Sequence, residues 1–184
     1  MSESPANAWG DFDPQPSLAD DALRLRPLLP EDFGALFAVA ADPLIWEVHP
    51  AHDRWQEPVF RRFFAEALAG GGALAVIEAD NDRMIGSSRY DRTRVEPGEV
   101  EIGWTFLARD HWGGATNLRV KRLMIGHALT HFEQAVFYVG ADNGRSRRAM
   151  EKIGGTLLPG RTIDFAMAGT PTSHVVYAIS EPLA

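Results

Sequence analysis

The stretch HWGGATNLRVKRLMIGHALTHFEQAVFYVGADNGRSRRAMEKIGG, residues 111–155, decides the fold. It opens on a glycine turn, Trp112-Gly113-Gly114-Ala115-Thr116-Asn117. Glycines let backbone amides approach a ligand closely, and the unpaired amides and dipole of a helix start favour an anion. Taken by itself, such a turn is more often a plain structural connection. From Leu118 to Phe132 the apolar residues Val120, Leu123, Met124 and Ala128 recur at helical spacing, with Ile125, Leu129 and Phe132 widening the stripe. Ala135–Val139 is a short apolar run, as expected of a strand covered on both faces. A second helix is expected over Asn143–Ile153, stopped by Gly154-Gly155. Asn143 and Ser146 lie three apart at its start, on one face. They read either as an N-cap with a solvated serine or as a polar pair aimed at a ligand. Neither G-x-G-x-x-G nor G-x-x-x-x-G-K-[ST] occurs here, which disfavours a Rossmann fingerprint and a P-loop.

Upstream, Leu23-Arg24-Leu25-Arg26 alternates and ends at Pro27, a first strand. Acids at Glu31 and Asp32 precede a helix over Phe33–Ala41, and Glu57–Leu68 forms a second, with Pro58 in its first turn. Phe60, Phe63 and Phe64 on that helix read as core. Ala73–Ala79 and Arg83–Arg89 flank the turn Asp80-Asn81-Asp82 and predict a hairpin. Glu99–Leu107 alternates, with Val100, Ile102, Trp104 and Phe106 on one face and Glu99, Glu101, Gly103 and Thr105 on the other. Arg161–Met167 and Ser173–Ile179 close the chain as a hairpin around Gly169-Thr170-Pro171. The expectation is an α/β (α+β) domain with a mixed sheet of about seven strands and helices packed on it.

Composition bounds the function. The chain has 184 residues, 45% hydrophobic and 23% charged, which suits one globular domain. Residues 1–21 carry five acids and no base. They show no period and read as a flexible or draped acidic arm, leaving residues 22–184 as the domain. No secretory signal or membrane span is expected, and cytoplasmic residence fits. Without cysteine there is no disulfide, thiolate metal site or cysteine nucleophile. A net charge of −7 argues against general nucleic-acid binding. Residues 109–152 nevertheless carry eight bases against four acids. That excess suits one polyanionic ligand, or two solvated helix faces. His49/His52 and His127/His131 lack supporting acidic or cysteine partners, so no metal site is expected.

The order of strand, glycine turn, helix and strand, followed by N-x-x-S-x-x-[AV]-x-E-K-x-G, resembles the GNAT acetyltransferases. LRLRPL-x-x-ED (Leu23–Asp32) and EIGWTF (Glu101–Phe106) resemble the branch containing the ribosomal-protein N-terminal acetyltransferases. The resemblance covers about residues 22–182. It implies the GNAT fold, with a mostly antiparallel sheet, a central splay and helices on both faces. It further implies acetyl-CoA as cosubstrate, no metal, and a primary amine as acceptor (a small molecule or a protein N-terminus). Relatives also suggest a homodimer.

The resemblance assigns the diphosphate to the backbone of Gly113, Gly114, Ala115, Thr116 and Asn117, with Arg119, Arg122, Arg147 or Arg148 as the candidate phosphate cations. It lays the pantetheine arm along Trp104–Leu107, at Phe106 and Leu107, and gives Asn143 a contact with it. Ser146 would donate to the leaving thiolate. Glu101 is preferred over Glu99 as proton acceptor; a solvated pair is the plain alternative. Trp46 and His49 would border the acceptor. Two departures stand out: the loop is W-G-G-A-T-N, and Met150 occupies the place where many relatives carry a tyrosine acid, leaving Ser146, Tyr90 or water for that role. They leave a non-catalytic acyl-CoA-binding module as the rival reading. Without a cysteine, direct transfer in a ternary complex is favoured over a covalent carrier.

Overall fold

The computed structural model describes residues 9–167 and 169–183. The expected elements form, with shifts of a few residues at their ends. They are β1 (Leu18–Ala19), β2 (Leu23–Pro27), α1 (Phe33–Ala40), α2 (Glu57–Gly70), β3 (Ala73–Glu78), β4 (Met84–Asp91), β5 (Glu99–Leu107), α3 (Thr116–Ala128), β6 (Gln134–Gly140), α4 (Gly144–Lys152), β7 (Thr156–Met167) and β8 (Thr170–Ile179). They build one eight-stranded sheet in the order β1-β2-β3-β4-β5-β6-β8-β7. Every pairing is antiparallel except β5 with β6.

Two large apolar clusters sandwich the sheet, and a smaller one joins Val136 of β6 to Val176 and Ala178 of β8. On one face α2 turns Phe60, Phe63, Phe64 and Ala67 inward, at i, i+3, i+4 and i+7, onto Ala73, Ala75, Ile77 and Phe106. Gly71, at φ 66°, ends that helix in the left-handed region. On the other face Val120, Met124, Ile125 and Ala128 of α3 pack with Met150 of α4 against Val100, Ile102, Phe137 and Val139.

Two expectations need correction. The eighth strand is β1, and it comes from the segment read as a flexible or draped arm, of which the draped alternative fits residues 9–21. Residues 9–21 are packed, not loose: Leu18 pairs with Leu25, and Phe12 is only 3% exposed. Its ring sits 4.7–5.6 Å from those of Tyr90, His127, His131 and Phe132. His127 Nε2 bonds the Asp13 carbonyl at 2.8 Å, and Arg119 pairs with Asp20 and Asp21. One large aromatic ring outweighs the polar composition around it. Residues 1–8 of the expected arm lie outside the described residues.

The second correction concerns β5. Its register against β4 shifts between Ser87 and Arg89, and Trp104 takes φ 54°. The extra residue flips the remaining strand over. Val100 and Ile102 face α3, whereas Trp104 and Phe106 belong to the α1/α2 cluster. The single face expected for these four residues is therefore split in two.

Candidate active site

β5 and β6 pair only over Glu99–Glu101 and Gln134–Val136. Beyond this the strands part, and β6 continues against β8 alone. A cleft of about 240 Å³ occupies the opening. One wall is Ile102, Gly103, Trp104 and Thr105, and the other is Phe137, Tyr138, Val139 and Gly140. Such a gap exposes strand backbone that a ligand amide can pair with. The non-glycine positive φ at Trp104 costs on the order of 1–3 kcal/mol, a kind of strain that gathers at functional sites.

The α4 end of the cleft is built by an N-cap. Asn143 Oδ1 accepts from Ser146 N at 3.0 Å, which fixes the first turn. Asn143, Ser146 and Met150 all line the cleft. The Ser146 hydroxyl has no protein partner among the described residues. From α3, Asn117 Oδ1 accepts from Lys121 Nζ at 3.0 Å, and burial pushes the lysine down to about 8.

At the turn before α3, Gly113 has φ 75°. Among the described residues, the amides of Gly113 to Leu118 meet no carbonyl or side-chain acceptor. They are free donors at a helix start, suited to phosphate. Arg145 of α4 stacks over the Trp112 ring at 5.4 Å, beside this turn. Arg145 counts among the eight bases of residues 109–152 but was not among those expected at the phosphates. Of the arginines expected at the phosphates, Arg119 and Arg147 are engaged elsewhere. Arg119 holds Asp20 and Asp21, and Arg147 reaches Tyr177 Oη and the Ala141 carbonyl. Ala115, Thr116 and Arg119 line a separate hollow with Asp21, Glu78 and His111, not the main cleft.

Phe106 and Leu107 do not line the cleft either. Both are 6% exposed, and the Leu107 carbonyl accepts from Trp112 Nε1 at 3.0 Å. The bulge turns Phe106 into the aromatic core, so β5 meets the cleft through residues 101–105.

The two glutamates separate. Glu99 is 3% exposed; it forks with Arg161 at 2.6 and 2.7 Å and accepts from Gln134 and the Glu96 amide. It does not line the cleft. Glu101 does, although only 2% exposed. Both its oxygens accept from Arg94, at 2.7 and 2.6 Å. Burial raises the Glu101 carboxyl above its ordinary range, and Arg94 offsets part of that. The Arg94 guanidinium lies 4.2–4.8 Å from the rings of Trp104, Tyr138 and Phe165.

Across the cleft stand Trp46, His49, Arg54 and His174. Trp46 and His49 stand where the resemblance put the acceptor border, whereas Arg54, Arg94 and His174 carry no signal in the sequence that marks them for the site. His174 Nδ1 lies 3.1 Å from the Thr172 carbonyl. A carbonyl only accepts, so Nδ1 carries the proton and Nε2 keeps its lone pair. Burial holds this histidine below its usual value, so it is neutral at pH 7.

Among the described residues no cluster of three or more His, Asp or Glu could hold a metal ion, and no helix is long and apolar enough to span a membrane. An opened parallel strand pair and the N-capped start of α4 flank the cleft, and the free-amide turn before α3 lies beside them. The chain matches the family model described as Acetyltransferase (GNAT) domain over residues 22–156. It therefore belongs to the GNAT acetyltransferases and is an acyltransferase.

Solved structures agree on the fold. A Chromobacterium violaceum protein described as a probable GNAT-family acetyltransferase superposes with TM-score 0.80 at 20% identity, covering 98% of this chain and 94% of that one. A GCN5-related N-acetyltransferase from Brucella melitensis gives 0.76 at 17% identity, over 92% and 83%. Mycobacterium smegmatis RimJ in complex with CoA-disulfide gives 0.67 at 16% identity, over 94% and 88%. Among curated proteins none matches this sequence.

Proposed function

We propose that this acyltransferase moves an acetyl group from acetyl-CoA directly to a primary amine. The parting of β5 and β6 after Glu101 and Val136 carries the reading, because it opens a slot from the α3/α4 side to the Arg54/His174 side. When bound, acetyl-CoA supplies the activated acetyl group. The free amides of Gly113–Leu118 and the nearby Arg145 suit its diphosphate. The exposed edges at Ile102–Thr105 and Phe137–Gly140 suit its amide-bearing arm, with Asn143 at the far end.

Within the slot, a backbone amide of the Gly103–Thr105 bulge polarises the carbonyl under attack. Losing one such donor costs roughly 3–4 kcal/mol in comparable sites. Ser146 Oγ, unpartnered in the cleft, donates to the departing thiolate. Glu101, through water, accepts the proton that the amine must shed, a role worth about 10²–10⁴ in rate. His174 is a second acceptor, favoured by the free lone pair on Nε2.

Thiol release from acetyl-CoA across a panel of primary amines tests the reading. Amine-dependent release that falls at least tenfold in Ser146→Ala and in either Glu101→Gln or His174→Gln supports it. Coenzyme binding with no release on any amine overturns it. Whichever of the Glu101 and His174 variants stays near wild type loses its role.

A further inference from the structure

The acceptor side of the cleft has an unbalanced positive charge. Arg94 is neutralised by the forked bond to Glu101. His49 is neutral: burial, with Arg54 beside it, pushes it down to about 4. His174 is neutral for the same kind of reason, and Lys121 belongs to the α3 wall beside Phe137. Arg54 remains. Its guanidinium lies 4.5 Å from the Phe63 ring and 5.6 Å from Trp46. It is half-buried, lines the cleft, and has no ion pair or hydrogen bond among the described residues.

That arrangement is costly in the free protein. Burial pulls Arg54 down to about 10, and Arg89 adds to the effect. Asp53 and Glu66 act on it through space and make no salt bridge with it among the described residues. An arginine fork with five donors in a partly desolvated aromatic setting calls for a planar anion, and a carboxylate matches it with two parallel bonds. Of the two arginines that line the cleft only Arg54 is unpaired among the described residues, and a single carboxylate charge matches it.

We propose that Arg54 recognises a carboxylate on the acceptor, so that the substrate is a primary amine that also bears a carboxylate. This rests on the acetyl-transfer reading above and names its substrate class. The ammonium form of a simple amine or polyamine meets the Arg54 charge unfavourably. An amino acid, or a peptide with an acidic residue near its N-terminus, brings its own counter-charge. Aromatic flanks at Trp46 and Phe63 hold the guanidinium stem in place, which limits the side-chain freedom lost on binding.

The test uses full-length protein with saturating acetyl-CoA and three sets of acceptors. These are free L-amino acids, the same amino acids as C-terminal amides, and C-amidated tetrapeptides with Glu or Gln at the second position. KM and kcat are measured for wild type, Arg54→Met and Arg54→Lys, and direct binding of the same compounds is measured by titration calorimetry on the CoA-bound protein. The proposal expects carboxylated acceptors to have KM at least 30-fold below their amides. It expects Arg54→Met to erase that gap with kcat changed less than about threefold, and Arg54→Lys to restore part of it. A preference in the amino-acid set alone identifies a free α-carboxylate, and one in the peptide set alone an acidic N-terminus. Equal KM for acids and amides in wild type overturns the proposal while leaving acetyl transfer intact. So does an equal loss on both in a folded Arg54→Met protein. If no amine is acetylated, the transfer reading fails separately. Arg54-dependent binding of the carboxylates then still upholds the anion site, and absence of such binding removes it.

Discussion

Replacing Arg94 with methionine tests how the cleft holds its buried carboxylate. Glu101 is 2% exposed, and Arg94 supplies both of its charged hydrogen bonds. Breaking a buried pair from one side costs about 3–5 kcal/mol, because the remaining charge is uncompensated. Glu101 borders the cleft, where water can enter, so the low end applies. Lost cation–π contact with Trp104, Tyr138 and Phe165 adds about 1 kcal/mol, partly kept by the methionine stem. A loss of about 3–4 kcal/mol at pH 8 follows, or roughly 6–15 °C in Tm for a chain of this size. The sign with pH is set by Glu101. Its folded pKa already lies above the ordinary value, and without Arg94 it climbs further. A raised acid favours the folded state below its unfolded pKa and loses that contribution as pH rises through the folded one. The deficit of Arg94→Met is therefore largest at pH 8 and shrinks toward pH 5. Urea unfolding of wild type, Arg94→Met, Glu101→Gln and the double variant, at both pH values, reads this directly. The double variant should recover about 2 kcal/mol relative to the sum of the singles. Additivity within about 0.5 kcal/mol, with no pH dependence, would refute the paired-carboxylate account.

Three further outcomes are expected. Ser146→Ala should lower kcat at least tenfold while CoA affinity, by calorimetry, changes less than threefold, because the Asn143 cap uses the Ser146 amide and not its hydroxyl. Phe12→Ala should cost about 3–5 kcal/mol in urea unfolding, as a buried phenylalanine does, although it lies in the acidic N-terminal segment. His49 falls from 6.5 to about 4 on folding, so its contribution is full above pH 6.5 and is lost as pH falls toward 4, by up to about 3 kcal/mol. His49→Gln should flatten that acid limb relative to wild type in Tm-versus-pH curves.

The parts of the fold legible in the sequence were those set by local pattern. Alternation placed β5 at Glu99–Leu107, its observed bounds, and Asn143 was readable as an N-cap because short side-chain acceptors stand before helices. Long-range geometry was not legible. Nothing in EIGWTF announces the positive φ at Trp104, because the bulge arises from its pairing with β4, so the split of Val100, Ile102, Trp104 and Phe106 between two faces was not readable. Arg54, Arg94 and His174 come from separate segments and meet only in the folded chain. Arg119 looked free, since its partners Asp20 and Asp21 lie 99 and 98 residues away. A single Phe12 in a Pro- and Asp-rich segment carries no periodicity, yet it anchors that segment onto α3.

The crystal structure of the protein soaked with CoA tests the central claim most directly. The account predicts the diphosphate on the amides of Gly113–Leu118 and the pantetheine arm between Ile102–Thr105 and Phe137–Gly140, with its sulfur near Ser146. Coenzyme bound elsewhere, or β5 and β6 closed together past Glu101 with CoA excluded, would contradict it.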